Sequence, residues 1–221
     1  MIRAHWKAVL SAVAGLAVLA AVYVALAYAP REATMGDVQR IMYVHIPVAW
    51  VGFLALVVTF AASIGTLVRD AQRWDALAAC SAELGTLFLT MTLITGSLWA
   101  KVAWNTWWTW SPRLTLSAVV WLVYVAYLML RRVVDDLAQR ARFAAVYGIV
   151  AFVSVPLDFF AIRWWRSIHP VLLTGQGMAM TGRMGMSLGI CLGAFTLLYT
   201  ALLSVRVSQE RIQNALYALE E

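Results

Sequence analysis

Charge is what this sequence has least of. Of its 221 residues only 13 % are Asp, Glu, Lys or Arg, against 63 % hydrophobic. Soluble globular domains carry roughly a quarter charged residues, so a water-exposed globule is excluded. Cysteine is scarce too: Cys80 and Cys191 lie far apart, each inside an apolar run. No C-x-x-C pair occurs, which excludes a disulfide framework and a redox or metal motif and leaves buried packing for both thiols. Two histidines lie outside the amino-terminal tail, with no cluster of Cys or carboxylates around them, a poor set for zinc. Carboxylates within apolar stretches are limited to Glu83 and Asp158, too few for the chain of buried acids that an ion pump uses. No internal repeat and no low-complexity span interrupts the chain.

What is present is a succession of long apolar runs, with a mean hydropathy of +0.78. Crossing a hydrocarbon core of ~30 Å takes ~20 apolar residues in a helix. On that measure the runs predict an all-α, polytopic membrane protein of six transmembrane helices, at about 8–28, 47–68, 76–99, 112–130, 143–162 and 184–205. Residues 1–221 then form a single integral membrane domain in a lipid bilayer. Prolines punctuate it. Pro30 stops the first helix, and Pro47 heads the second, which leaves His45 just outside the bilayer core. Ser111 and Pro112 read as the N-cap and first residue of the fourth helix, and Pro156 kinks the fifth. The first run is too long for a signal-peptide core, although Ala27-Tyr28-Ala29 loosely mimics a cleavage site, and it reads as a retained helix.

The formal charge of +6 is spread singly over helix ends, where it anchors topology and meets anionic headgroups; it is no nucleic-acid signal. The amino end, the second and fourth loops and the tail hold ten Lys and Arg: Arg3, Lys7, Arg69, Arg73, Arg131, Arg132, Arg140, Arg142, Arg206 and Arg211. The opposite side holds seven: Arg31, Arg40, Lys101, Arg113, Arg163, Arg166 and Arg183. The bias predicts both termini in the cytoplasm, with His45, His169 and the loop at 100–111 on the outer face.

That loop is the densest feature of the chain. Trp104, Trp107, Trp108 and Trp110 fall within seven residues, and on a helix the first three would share one face. An interfacial aromatic belt is the plain reading. A belt scatters its rings over many helix ends, however, whereas four indoles in one loop suit a large flat apolar ligand. His45 and His169 flank this loop on the same side, while His5 sits in the cytoplasmic tail. Each flanking histidine could simply cap a helix or bind water. Together, two neutral imidazoles from separate elements can take both axial positions of a haem iron. The haem would be b-type and non-covalent, since the chain has no C-x-x-C-H. Indole faces would cover the macrocycle, and Arg40 and Arg113 are candidates for its propionates, with Arg163 and Arg166 on the same side. Met178, Met180, Met184 and Met186 could ligate iron in principle, though such residues more often fill irregular gaps. Glu83 is placed to snorkel or to pair with another helix, and Asp158 to pair with Arg163 or orient a ligand.

At these residues the sequence resembles the CcmC family of haem-handling membrane proteins in cytochrome c maturation. The family's Trp-rich loop, W-G-x-W-W-x-W-D-x-R-L-T, is matched from Trp104 to Thr115. A first-loop R-I-x-Y-x-H-x-P is matched from Arg40 to Pro47, and W-W-x-x-x-H from Trp164 to His169. The resemblance implies a protein of the cytoplasmic (inner) membrane that holds haem at its outer face and presents it to the periplasmic chaperone CcmE. It implies the ABC transporter subunits CcmA and CcmB and the small protein CcmD as partners, and a transfer factor, at most a haem lyase component, rather than an enzyme. Two departures stand out: Ser111 replaces the motif's aspartate and Asn105 its glycine. Serine is also a good N-cap, so the fourth helix should begin at the same place, and the lost charge reads as dispensable for holding haem.

The rival from another class is a cytochrome b-like membrane subunit for quinol electron transfer. Such proteins place histidine pairs within helices to carry electrons across the bilayer, and a single pair at one surface lacks the second station. A transporter subunit without a cofactor is the third reading.

Overall fold

The computed structural model describes residues 2–69, 71–165, 173–174, 177–178 and 180–220. Helix α1 covers Ile2–Tyr23 and continues through a π-helical turn, Val24–Tyr28. A 3-10 turn, Asp37–Ile41, feeds α2, Met42–Val68, and then come α3, Ala71–Trp104, and α4, Pro112–Val133. Helices α5, Leu137–Ala151, and α6, Ser154–Trp164, are followed by two short antiparallel strands, β1 Leu173–Thr174 and β2 Gly177–Met178, and by α7, Gly182–Glu220. Among the described residues six helical segments are long and apolar enough to cross a membrane, α5 and α6 together making one of them. The all-α architecture of six spans is the one the apolar runs predict.

Helix α2 is the axis of the bundle. Its Val48, Val51, Ala55, Leu56, Thr59 and Ala62 are fully buried, and it packs on α3, α5 and α7. In lipid such packing gains little from the hydrophobic effect and relies on close backbone approach and interhelical hydrogen bonds. Both are present where α2 meets α3. A Cβ at Gly85 would lie 2.9 Å from Leu56 Cδ2 and 3.1 Å from Ala55 Cβ, so only glycine lets the two helices come this near. Ser81 Oγ donates to the Ala55 carbonyl at 2.7 Å, and the Tyr199 hydroxyl of α7 lies 2.8 Å from the same Ser81 oxygen. Because the serine proton is committed to Ala55, Tyr199 is the donor in the second bond. Helix α1, by contrast, buries mainly Ala14 and Ala21, against α7, and turns Leu16, Leu19 and Val22 outward, the pattern of a lipid-facing helix.

Several boundaries differ from the expected ones, each for a physical reason. Helix α2 starts at Met42, not at Pro47, because burial of Met42 and Tyr43 outweighs the one backbone bond that proline forfeits. His45 therefore stands inside the helix, in its first turn. Helix α3 begins five residues early and reaches Trp104, and at 34 residues its length of about 50 Å exceeds the ~30 Å hydrocarbon core. It ends where Asn105 takes a positive φ of 53°. That left-handed conformation suits glycine best and asparagine next, which explains why Asn105 can stand where the motif has glycine. The fifth span breaks at Phe152 and Val153 because the ring of Pro156 excludes a regular bond to the carbonyl four residues earlier. The final helix runs on to Glu220, far past the predicted 205.

Ion pairs join the helices at the end away from the tryptophans. Asp75 and Arg131 are both buried and form a bidentate pair at 2.5 and 2.8 Å, tying α3 to α4. Glu83 pairs with Arg206 of α7 at 2.8 Å, so it does bond to another helix. Cys80 and Cys191 are free and buried, as apolar packing requires.

Two outcomes are expected. Arg131→Met alone should lower stability by about 3–5 kcal/mol, since Asp75 is left charged and buried, while Asp75→Leu combined with it should recover most of the loss. Thermal melts in detergent check both. Asn105→Gly should melt with the wild type, whereas Asn105→Val should cost about 1–2 kcal/mol, the penalty of a β-branched residue at positive φ.

Candidate functional site

Three helix ends converge beside the tryptophan loop: the first turns of α2 and α4 and the last turns of α3. Between them lies a cleft of about 600 Å³, counting its open mouth, lined by His45, Gly96, Trp104, Trp107, Trp108 and Arg113 among others. Most of the expected site residues thus meet at one place although they come from separate stretches of chain.

The best-defined element is His45. Its Nδ1 lies 3.0 Å from Thr95 Oγ1, one helix across. Thr95 Oγ1 also lies 2.7 Å from the Met91 carbonyl, to which it donates its single proton. The hydroxyl oxygen can then only accept from the ring, so this network assigns the proton of the neutral imidazole to Nδ1 and the lone pair to Nε2. The ring stands edge-on to Trp99 at 5.8 Å between centroids. A Cβ at Gly96 would come within 3.0 Å of His45 Cε1, so glycine is what allows the imidazole to lie against α3.

The indoles reach the cleft in two ways. Trp104 closes α3 and stacks on Trp99 at 6.4 Å. Trp107 and Trp108 come from the loop after it, as the sequence predicts, so the face that the three indoles would share on a helix does not form. The reason is that α3 ends before Asn105, whose positive φ is not that of a right-handed helix. Trp107 is half exposed, with Lys101 Nζ 5.9 Å from its ring centre. Trp108 stands edge-on to Trp110 at 6.0 Å, and its Nε1 is buried with no hydrogen-bond partner among the described residues. An indole N–H placed so, in a residue that lines the cleft, is a donor left without a partner among the described residues. Trp110 is 80 % exposed and does not line the cleft.

The charged residues divide. Arg113, in the first turn of α4, lines the cleft. Its Nη1 donates to the backbone carbonyl of Asp158 and lies 3.5 Å from the Oδ1 of the same residue. Asp158 is buried, and its carboxylate also accepts from Ser117 Oγ at 3.0 Å. Its partner is therefore Arg113 and not Arg163, which stands exposed in the last turn of α6. Arg40 lies at the same end of the bundle but away from the cleft. It donates to the Ala25 carbonyl at 2.6 Å and pairs with Asp37 at 3.0 Å, which ties the 3-10 turn to the end of α1. Ser111 does precede α4, with Pro112 at its first position, but its side chain makes no capping bond and Oγ is buried without a partner. His169 falls outside the described residues.

Sequence reasoning passed over Thr95, Gly96 and Ser117. The run of threonines in α3 was the available signal. Thr86, Thr90, Thr92 and Thr95 each donate to the carbonyl four residues before, which satisfies these hydroxyls in an apolar setting.

The family model for Heme exporter protein C, CcmC, matches residues 1–220. A Heme exporter protein C of Bradyrhizobium diazoefficiens is 33 % identical over 88 % of this chain and 74 % of its own. The one from Haemophilus influenzae is 32 % identical over 86 % of this chain and 78 % of its own. A ccmC-like mitochondrial protein of Marchantia polymorpha, named for cytochrome c biosynthesis, is 28 % identical over 67 % of this chain and 63 % of its own. With residues 1–220 matched by the family model and six helical segments long and apolar enough to cross a membrane among the described residues, this protein belongs to the CcmC family.

Proposed function

We propose that this protein receives haem in the tryptophan-walled cleft at the outer face of the cytoplasmic membrane and passes it to the periplasmic chaperone CcmE in cytochrome c maturation. The observation that carries the reading is the state of His45. An imidazole whose Nδ1–H is held by Thr95 presents Nε2 as the ligating nitrogen, the arrangement that metal-bound histidines use. Around it, Trp104, Trp107 and Trp108 offer apolar ring faces, and the buried Trp108 N–H and the Arg113 guanidinium offer donors suited to propionates. The donor set fits haem as cargo. His169 supplies the second axial nitrogen in this reading, from the connection that follows Trp165. Arg40 is a second propionate candidate at the same end, and the exposed Trp110 extends the aromatic platform to the cleft's rim.

The Lys and Arg bias supports both termini in the cytoplasm, which puts the cleft on the periplasmic side. CcmA, CcmB and CcmD are the partners this role requires. Nothing in the role calls for a nucleophile: the chain's residues bind, orient and release, and the work is transfer rather than bond-making.

Purified His45→Ala and His169→Ala should each lose most of the Soret absorbance of the wild type, and the double variant all of it. Undiminished haem with an unchanged Soret band in the double variant would refute axial ligation. Thr95→Val should weaken haem binding about ten-fold, as loss of an orienting partner does at metal sites, while Thr95→Ser should bind as the wild type. Titration of the detergent-solubilised protein with ferric haem measures both.

A further inference from the structure

We infer that Asp158 is a positioning residue for Arg113, supplying from α6 the carboxylate that the tryptophan loop lacks at Ser111. Asp158 is 45 residues from Arg113 in sequence, yet its carboxylate lies 3.5 Å from the guanidinium. Ser111 is two residues before Arg113, neutral, with a buried Oγ that bonds to nothing among the described residues. Asp158 is 1 % exposed and turns two acceptors, its backbone carbonyl and Oδ1, to a single nitrogen of Arg113. Its carboxylate is held in turn by Ser117 Oγ, one turn along α4 from Arg113.

The physical need for such a group is plain. A guanidinium in the first turn of a membrane helix is costly without a counter-ion, and it swings over many rotamers without a fixed acceptor. Asp158 meets both demands at once. Among the described residues it engages Nη1 alone, and the planar fork keeps Nη2 and Nε for an anionic group in the cleft that Arg113 lines. The Phe53 ring, 5.9 Å from the guanidinium carbon, braces its other side. A carboxylate at 111 would reach Arg113 from the loop; one at 158 reaches it from beneath.

The ligand-binding part of this inference rests on the haem reading of the cleft, whereas the coupling of Asp158 to Arg113 does not. Two measurements separate them: ferric haem titration followed at the Soret band, and thermal melting of haem-free protein in detergent. Asp158→Asn should weaken haem binding by about ten-fold or more, the worth of one charge-assisted hydrogen bond, with the Soret maximum unmoved because His45 is intact. Ser111→Asp in that background should restore most of the affinity and of the melting temperature. In an Arg113→Gln background, Asp158→Asn should cost little more in either measurement. A wild-type affinity in Asp158→Asn, an equal loss with and without Arg113, or no recovery on adding Ser111→Asp would each overturn the proposal. Should Asp158→Asn alone not fold, the double variant with Ser111→Asp decides: folded, haem-binding protein supports the exchange and its absence refutes it. Wild type that takes up no haem would sink the cleft reading instead, and the haem-free melts of the Arg113 and Asp158 variants would still judge the coupling.

Discussion

The contact on which the rest of this structure depends is the seat of α2 on α3. Lipid cannot hydrogen-bond a backbone or a hydroxyl, so helices in a membrane must satisfy their own polar groups and hold together by close approach. At Gly85 the two backbones come near enough for Ser81 to reach the Ala55 carbonyl, and Tyr199 adds α7 to the same point. Further along the same pair of helices the geometry is reused, with Gly96 making room for His45 and Thr95 holding its ring. The packing that stabilises the bundle and the packing that sets the imidazole are one continuous interface. A change that separated the two helices would move the His45 ring with them.

Charge is used sparingly, and three ion pairs among the described residues join one helix to another. Asp75 with Arg131 joins α3 to α4 at one end, Glu83 with Arg206 joins α3 to α7, and Asp158 with Arg113 joins α6 to α4 at the other. Each pair resolves the cost of an ion in an apolar setting by giving it a partner from another helix. Only the last of them borders the cleft. The residues of the cleft are accordingly of two kinds: rings that offer surface, and a small polar set whose orientation is settled by groups behind the wall.

Much of this was readable along the chain because the signals were local. Long apolar runs announce spans, Trp104 to Trp110 announces an aromatic wall, and the three motifs tie His45, Arg113 and His169 to haem handling through resemblance. Boundaries were less legible. Pro47 looked like a helix start and proved to be an interior residue, since the benefit of burying Tyr43 depends on neighbours that no local window contains. The third span was expected to stop at 99 and runs on to Trp104, where Asn105 with its positive φ ends it.

Composition and order alone determined that this is a six-span membrane protein with a tryptophan-rich loop between its third and fourth spans, since hydrophobic length and motif spacing are properties of the chain itself. Only the tertiary structure decided which partners the polar residues found. That Thr95 holds His45, that Asp158 pairs with Arg113 and not with Arg163, and that Arg40 is tied to the end of α1 all follow from helix packing. Hydrogen bonds and ion pairs act over a few ångströms in space, and fifty residues of sequence between His45 and Thr95 carry no trace of that distance.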